Sequence, residues 1–383
     1  MKQIDNQPSA IVIGAGIVGL AISRSLAIQG YKVQVFERHE KAVGASIRNF
    51  GMIWPIGQPN GKMYNRAMKS RSIWKEICDE AELWYEEAGS IHLAYSELEA
   101  QVMQEIAEGN AGVRNIRWLN TEEVLAKTPA ANPAGLKGGL WSGDEMIVES
   151  RVAIQKLPEY LSRKYDIGFH FSQAVSGVEG NTVFSGKKTY HADKIFICSG
   201  ADFETLYPEI FAENHFTKCK LQMMRIVSQP ENWRIGPSLC GGLSLIHYKG
   251  FEMAPSLAAL KKHYEENMPE YLQNGIHVMV SQNGEGELTI GDSHEYGLHL
   301  DPFDRSEINQ LIVSYLKEFA SFKNWEIAQS WNGTYPKRTN GEADFVYQPA
   351  ENVWIVNGMG GAGMTLSFGL AEEVITEVLS QTL

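Results

Sequence analysis

Ala10-Ile-Val-Ile-Gly14-Ala-Gly16-Ile-Val-Gly19 decides the fold of this chain. Its opening apolar run has no polar alternation, the pattern of a strand buried on both faces of a parallel sheet. Gly14-x-Gly16-x-x-Gly19 then opens a helix. Such glycines allow a tight turn, close approach of backbone to a pyrophosphate, and close packing of helix on strand. Free amides at the helix N-terminus attract the phosphates. A second strand, Lys32–Phe36, ends at Glu37, which lies 18 residues past Gly19 (37 − 19). An acid that grips ribose hydroxyls is expected roughly 20 residues on. Strand, turn, helix and acid in this order predict a dinucleotide-binding βαβ unit, with Glu37 and the adjoining Arg38 beside the cofactor.

Gly44-Ala-Ser46-Ile-Arg48-Asn49-Phe-Gly51 follows at once. A nicotinamide-binding domain has no need of such a turn directly after its acidic strand. The turn resembles the one that covers the pyrophosphate and approaches the flavin ring in the FAD-dependent D-amino-acid oxidase superfamily, which includes glycine oxidase, sarcosine oxidase and D-amino-acid dehydrogenase. The resemblance assigns Ser46, Arg48, Asn49 and Gly51 to FAD.

A second glycine cluster lies near the C-terminus, where Val353–Asn357 reads as a strand and Gly358-Met-Gly360-Gly361-Ala-Gly363-Met364-Thr365 follows it. Four glycines in six residues are costly in regular structure, so something must press close to this backbone. A loop lying against a flavin accounts for it, with the helix Leu366–Leu379 aiming its positive end at the ring. Such a dipole stabilises the anionic reduced flavin. The loop resembles the C-terminal Gly-x-Gly-Gly-x-Gly element of the same superfamily. By that resemblance FAD is bound noncovalently, because no cysteine or histidine stands where relatives attach the ring. The first turn reads Arg48-Asn49-Phe50, and Trp331–Lys337 lacks cysteine.

The 383 residues exceed a usual single core, so two domains are expected. Hydrophobic residues at 44% and charged residues at 21% fit an ordinary soluble globular protein. A net charge of −12 argues against nucleic acid or an anionic membrane as partner. Four cysteines without C-x-x-C spacing indicate neither a disulfide framework nor a zinc site, no metal is expected, and a reducing cytoplasm fits. Arg24 interrupts the apolar N-terminal stretch, and no run reaches membrane-spanning length.

The cofactor signals recur far apart, so residues 1–85, 149–205 and 331–383 are expected to form one discontinuous FAD domain of Rossmann-like α/β fold. Within it, Ser150–Tyr165 reads as a helix with Val152, Leu157 and Leu161 on its apolar face. Val175 falls in a short strand, and Lys194–Cys198 is a buried strand ending at Ser199-Gly200-Ala201. That ending resembles the family's small-residue turn beside the cofactor, which places Val175 and Gly200 there. Residues 86–148 and 206–330 are expected to form an α+β substrate domain on an antiparallel sheet. Its strands are read at Lys220–Ser228, His277–Ser281 and Glu287–Asp292, and its helices at Tyr264–Tyr271 and Ser306–Phe322.

Relatives in this superfamily remove a hydride from a carbon bearing an amine, after which the imine hydrolyses. The flavin performs the hard step, so no general base is assigned. They hold a substrate carboxylate with an arginine in a Gly-x-Arg-Pro turn; here the segment reads Gly333-Thr334-Tyr335-Pro336-Lys337-Arg338. Tyr335 replaces the arginine, which leaves Lys337 or Arg338 to take the anion. His294, in Gly291-Asp292-Ser-His294-Glu-Tyr296, resembles a substrate-contacting histidine of sarcosine oxidase-like enzymes. His247-Tyr248-Lys-Gly-Phe251 is similar to a strand over the ring and brings in Tyr248. Arg225 and Arg48 complete the substrate candidates. Gly44–Gly51, Leu221-Gln-Met-Met-Arg225 and Gly291–Gly297 together resemble a subgroup associated with aminophosphonate breakdown, and a dianionic phosphonate would suit several cations. The expected function is FAD-dependent oxidation of the C–N bond of a small anionic amine, with oxygen or another acceptor taking the electrons. Alternatives are a D-amino-acid or glycine oxidase or dehydrogenase proper, C–O oxidation of a hydroxy acid or glycerol 3-phosphate, a flavin-binding module without turnover, and a nicotinamide dehydrogenase.

Overall fold

The computed structural model describes residues 7–380, so residues 1–6 and 381–383 of the expected FAD domain lie outside the described residues. A six-stranded sheet runs in the order Phe345–Ala350, Val353–Asn357, Lys194–Ile197, Ser9–Ile13, Lys32–Phe36 and Gly168–His170. All its pairs are parallel except the edge hairpin of Phe345–Ala350 with Val353–Asn357. The apolar run that opens the chain is explained by burial on both sides. Ala10 and Val12 join a core with the helices Ile17–Ile28, Ser150–Tyr165 and Gly363–Ser380, while Ile11 and Ile13 face a second core with Val183, Phe203 and Phe211.

The second sheet has nine strands in the order Glu295–Gly297, Phe216–Ile226, Leu288–Gly291, Met279–Gln282, Ser238–Cys240, Ser90–Ala94, Gly138–Ser142 and Ile116–Leu119, with Ile327–Arg338 paired along Phe216–Ile226. It is antiparallel apart from Ser238–Cys240 on Ser90–Ala94. The helix Ser306–Phe319 packs Ile312, Leu316 and Phe319 against it. The fold is α/β, a parallel Rossmann-like sheet beside a mostly antiparallel one. Among the described residues, no helix is long and apolar enough to cross a membrane.

Several local expectations change. Gly333–Arg338 is no turn but the end of the strand Ile327–Arg338, because register pairing with Phe216–Leu221 overrides the Gly and Pro turn signals. A domain boundary at residue 331 therefore falls inside a strand of the second sheet. His247–Phe251 is no strand: His247 and Tyr248 link the 3₁₀ turns Gly242–Ile246 and Lys249–Phe251. Tyr264–Tyr271 divides into Leu257–Asn267 and Pro269–Gln273, since proline starts a helix far more readily than it continues one. Val152 is exposed; the buried face of its helix is Ala153, Ile154, Leu157 and Leu161.

Candidate active site

A cavity of about 1350 Å³ opens where strands of the parallel sheet end. Gly14 follows one strand, Glu37 the next, Cys198 to Gly200 a third and Gly358 a fourth, and all four segments line it. Crevices at the carboxyl ends of parallel strands are where such sheets take ligands. Gly14 has φ +105°, and a Cβ there would lie 2.4 Å from the Cys198 carbonyl oxygen. A Cβ on Gly19 would meet the Gly14 carbonyl at 1.9 Å, so this glycine works by letting helix and turn touch rather than by facing the cavity. Ser46 ties the second turn to the first, its Oγ accepting the Ile17 N–H at 3.0 Å.

Glu37, Arg38, Ser46, Arg48 and Asn49 line the same space. Arg38 is salt-bridged to Asp202. Asn49 donates to the carbonyls of Ala45 and Ser46 and accepts the Gly51 N–H at 2.8 Å, which braces the turn. Gly51 itself does not line the cavity: at φ +73°, its Cβ would sit 2.0 Å from the Val148 carbonyl. Val175, Gly200, Gly358, Gly360, Gly361, Gly363, Met364 and Thr365 are in the lining. Thr365 Oγ1 accepts the Trp54 N–H at 2.9 Å, and Gly358 (φ +82°) and Gly360 (φ +55°) take conformations that favour glycine. The helix begins at Gly363 rather than Leu366, and its first turn carries Met364 and Thr365 to the wall. A bare glycine cradle, a helix N-terminus and a strand-end carboxylate fit the phosphates and ribose of FAD.

The wall supplied by the second sheet is aromatic and histidine-rich. Leu221, Met223, His247, Tyr248, His277, Met279, Asp292, His294, Tyr335 and Lys337 line it. His277 and His247 were missed as site residues in the sequence, and Asp292 entered there only as a neighbour of His294. Nothing in their spacing marks them; the antiparallel register brings His277 to Asp292, and the 3₁₀ turn Gly242–Ile246 brings His247 beside them. Met279 pairs with Gly291, and the backbones of His277 and Asp292 exchange hydrogen bonds of 3.0 and 3.3 Å. His277 Nε2 faces Asp292 Oδ1 at 3.4 Å, and His294 Nε2 faces Asp292 Oδ2 at 3.9 Å. His294 Nδ1 lies 2.8 Å from the Gly275 carbonyl, an acceptor only, so this nitrogen carries the proton. Both ring nitrogens of His277 and Oδ1 of Asp292 are buried without a protein hydrogen-bond partner.

Burial sets the charge of this wall. It pushes His294 down to about 4 and His247 and His277 well below the usual imidazole range, with neighbouring histidines and Lys337 adding to the effect. It holds the Asp292 carboxyl well above the carboxylate range and the Tyr335 and Tyr248 hydroxyls well above theirs. Lys337 is lowered by burial. His247 is exposed to the cavity although protein surrounds it, and the surrounding protein governs its charge. Three neutral imidazoles thus share the wall with one cation.

No metal was assigned from sequence, yet the fold brings His247, His277 and His294 together with ligand atoms within 4.8 Å of one another. The ring centroids of His247 and His277 are only 3.8 Å apart. Two imidazoles on one tetrahedral ion, at metal–nitrogen distances of about 2 Å, hold their centroids roughly 5 Å apart. The arrangement is close, tilted ring packing (38° between planes) rather than a coordination shell.

The cations divide. Lys337 lines the cavity and donates to the Tyr296 hydroxyl at 2.9 Å. Arg338 also lines it, but pairs with Glu342 at 2.8 Å and packs over Phe216 and Phe345. Arg48 donates to the Asn332 carbonyl at 3.0 Å. Arg225 does not reach the cavity. It lies on the strand face of Leu221 and Met223 but beyond the cavity's edge, where Glu149 (3.2 Å) and Glu287 (3.0 Å) hold it.

The structure aligns with glycine oxidase from Geobacillus kaustophilus over 97% of this chain and 94% of that one, with a TM-score of 0.75 at 17% identity. One of the subunits of an opine oxidase from Rhizobium meliloti is 28% identical over 347 residues, 86% of this chain and 82% of that protein. L-2-hydroxyglutarate dehydrogenase of Escherichia coli is 25% identical over 242 residues, 59% of this chain; the match spans only 55% of that relative's length. Residues 9–376 match the family described as DAO, FAD dependent oxidoreductase. Glycine turns, strand-end acid, C-terminal loop and roofing sheet therefore converge on one conclusion: this chain belongs to the DAO family and is an FAD-dependent oxidoreductase.

Proposed function

We propose that the chain oxidises the C–N bond of a small amine bearing an anionic group, with FAD held noncovalently and the product imine hydrolysed by water. When bound, FAD accepts the hydride. Gly14, Gly16 and Ser46 would hold its phosphates, Glu37 its ribose, and Gly358–Thr365 its ring. The observation that carries the reading is a wall of neutral imidazoles and tyrosines with Lys337 as its cation. Such a wall disfavours the ammonium form of an amine, and only the neutral amine can lose a hydride. Lys337 stands on the strand segment where relatives carry their arginine, and a point cation suits a carboxylate or a tetrahedral phosphonate. Aminophosphonates belong to this substrate class on that ground.

A second reading has a specific basis. Neutral imidazoles also accept a hydroxyl proton, and one relative is named for 2-hydroxyglutarate. The two part on a single test. The holoprotein, mixed anaerobically with glycine, sarcosine, D-amino acids, 2-aminoethylphosphonate, its N-methyl form and 2-hydroxy acids, should lose its flavin colour with amines. Bleaching by hydroxy acids alone would overturn the proposal.

A further inference from the structure

We propose that Lys249 is a second, specificity-determining cation: with Lys337 it takes a substrate end that bears two negative charges, as one tetrahedral dianion or as a pair of carboxylates. The inference deepens the reading above, resting on its anionic substrate and not on its amine.

The charges along the cavity carry it. The chain has 46 acidic residues against 34 basic ones, so carboxylates to pair with a cation are plentiful. Arg38, Lys62, Arg66 and Arg338 line the cavity, and each meets a carboxylate: Asp202, Glu373, Asp344 and Glu342 in turn. Lys249 and Lys337 line it too, and among the described residues neither is ion-paired. Each donates instead to a neutral oxygen, Lys337 to the Tyr296 hydroxyl at 2.9 Å and Lys249 to the Gly341 carbonyl. An ammonium has three donors, so both keep two for a ligand. The Asp292 carboxyl on the same wall offers no counter-charge, because burial holds it well above the carboxylate range.

The fold brings the two ammonium groups to one end of the cavity. At the close of its strand, the Lys337 backbone bridges to Met359 in the C-terminal glycine loop. The chain then turns back, with the Gly341 N–H donating to the Arg338 carbonyl at 3.4 Å. The carbonyl that Lys249 grips is therefore folded against the strand end that carries Lys337, and Lys249 reaches it from the 3₁₀ turn after Tyr248. The two charges feel each other: burial is the main cause that lowers Lys337, and the Lys249 charge adds to it. Like charges facing one cavity repel, and an anion between them turns repulsion into attraction. A monoanion leaves one positive charge unmet; a dianion meets both. Lys337 is partly buried and Lys249 exposed, so Lys337 makes the stronger contact and Lys249 the discrimination.

The test reads binding rather than turnover. Holoprotein at pH 8.5 is titrated by calorimetry with methylphosphonate and methanesulfonate, tetrahedral anions of similar size with two charges against one. Malonate and its monomethyl ester form a second pair. In at least one pair the wild type should bind the dianion about 10-fold tighter, the worth of one further charge-assisted contact. Which pair shows the preference separates a tetrahedral dianion from two carboxylates. Lys249→Gln keeps an N–H for the Gly341 carbonyl; it should abolish the preference and leave monoanion affinity within about threefold. Lys249→Arg should retain the preference. Equal binding within both pairs, no binding of any of the four, or a preference that survives Lys249→Gln would overturn the proposal. Flavin bleaching by hydroxy acids alone would remove the amine and leave these affinities standing.

Discussion

Glu37 Oε2 accepts the backbone N–H of Ala15 at 3.0 Å, so the acid that ends the second strand is fastened to the glycine turn after the first. Its other oxygen accepts the His39 N–H at 3.0 Å. Each carboxylate oxygen retains a lone pair for a ribose hydroxyl. In Glu37→Gln the amide nitrogen must replace one of these acceptors and confront a backbone N–H. FAD affinity should fall about 10- to 100-fold, a loss of one or two charge-assisted hydrogen bonds. Titrating apoprotein with FAD and following flavin fluorescence measures this; unchanged affinity would remove Glu37 from the cofactor site.

Gly19→Ala should be more severe. The added methyl would lie 1.9 Å from the Gly14 carbonyl, a contact only backbone movement can relieve. The purified variant should retain little or no flavin and unfold at lower temperature, readable from its visible absorbance and thermal melt.

Arg225 separates stability from binding. Truncating it leaves Glu149 and Glu287 without their shared cation, and breaking a buried pair costs about 3–5 kcal/mol where burial is complete. Glu287 is partly exposed, so Arg225→Ala should lose about 2–3 kcal/mol in denaturant unfolding while KM for the substrate stays within about twofold. A large rise in KM with unchanged stability would place Arg225 in the pocket after all.

Lys337→Gln removes the cation nearest the histidine wall. KM for an anionic amine should rise about 10- to 100-fold, the worth of one charge-assisted contact, while KM for an uncharged amine of the same size should change little. Steady-state kinetics on the two substrates provides the comparison.

Glu145, which does not line the cavity, gives a pH signature of its own. It is fully buried, accepts the Ile56 N–H and the Ser90 hydroxyl at 3.0 Å each, and burial pushes its carboxyl up to about 7. A raised folded-state pKa contributes stability that is present below the unfolded value near 4.5 and lost as pH rises through 7. Between those pH values the wild type should lose on the order of 3 kcal/mol relative to Glu145→Gln. The histidines with lowered values act in the opposite sense at acid pH, but equally in both proteins. Parallel unfolding curves for the two proteins from pH 4.5 to 7 would contradict the assignment.

The cofactor half of this molecule is legible in sequence because its signals are local. Gly14 to Gly19 and Gly358 to Thr365 each declare a backbone requirement within ten residues, and Glu37 ends the very next strand after the first of them. The helix Ser150–Tyr165 and the strand Val353–Asn357 were readable to the residue from apolar spacing. The substrate wall is not local. His277 and Asp292 meet only through the register of Met279 on Gly291, and His247 joins them from the end of the 3₁₀ turn Gly242–Ile246, an arrangement no single segment encodes. Gly333-Thr-Tyr-Pro misled in the opposite direction: its turn chemistry is real, but eleven register pairs with Phe216–Ile226 outweigh it. Arg225 shows the same limit: its strand was legible, but neither the face it takes nor where along the strand the cavity ends.

The most direct test of the account is the visible spectrum of the purified holoprotein during anaerobic addition of amines and of 2-hydroxy acids. A yellow protein bleached by an anionic amine, and not by its hydroxy counterpart, is the predicted result. A yellow protein bleached only by hydroxy acids would contradict the proposed chemistry.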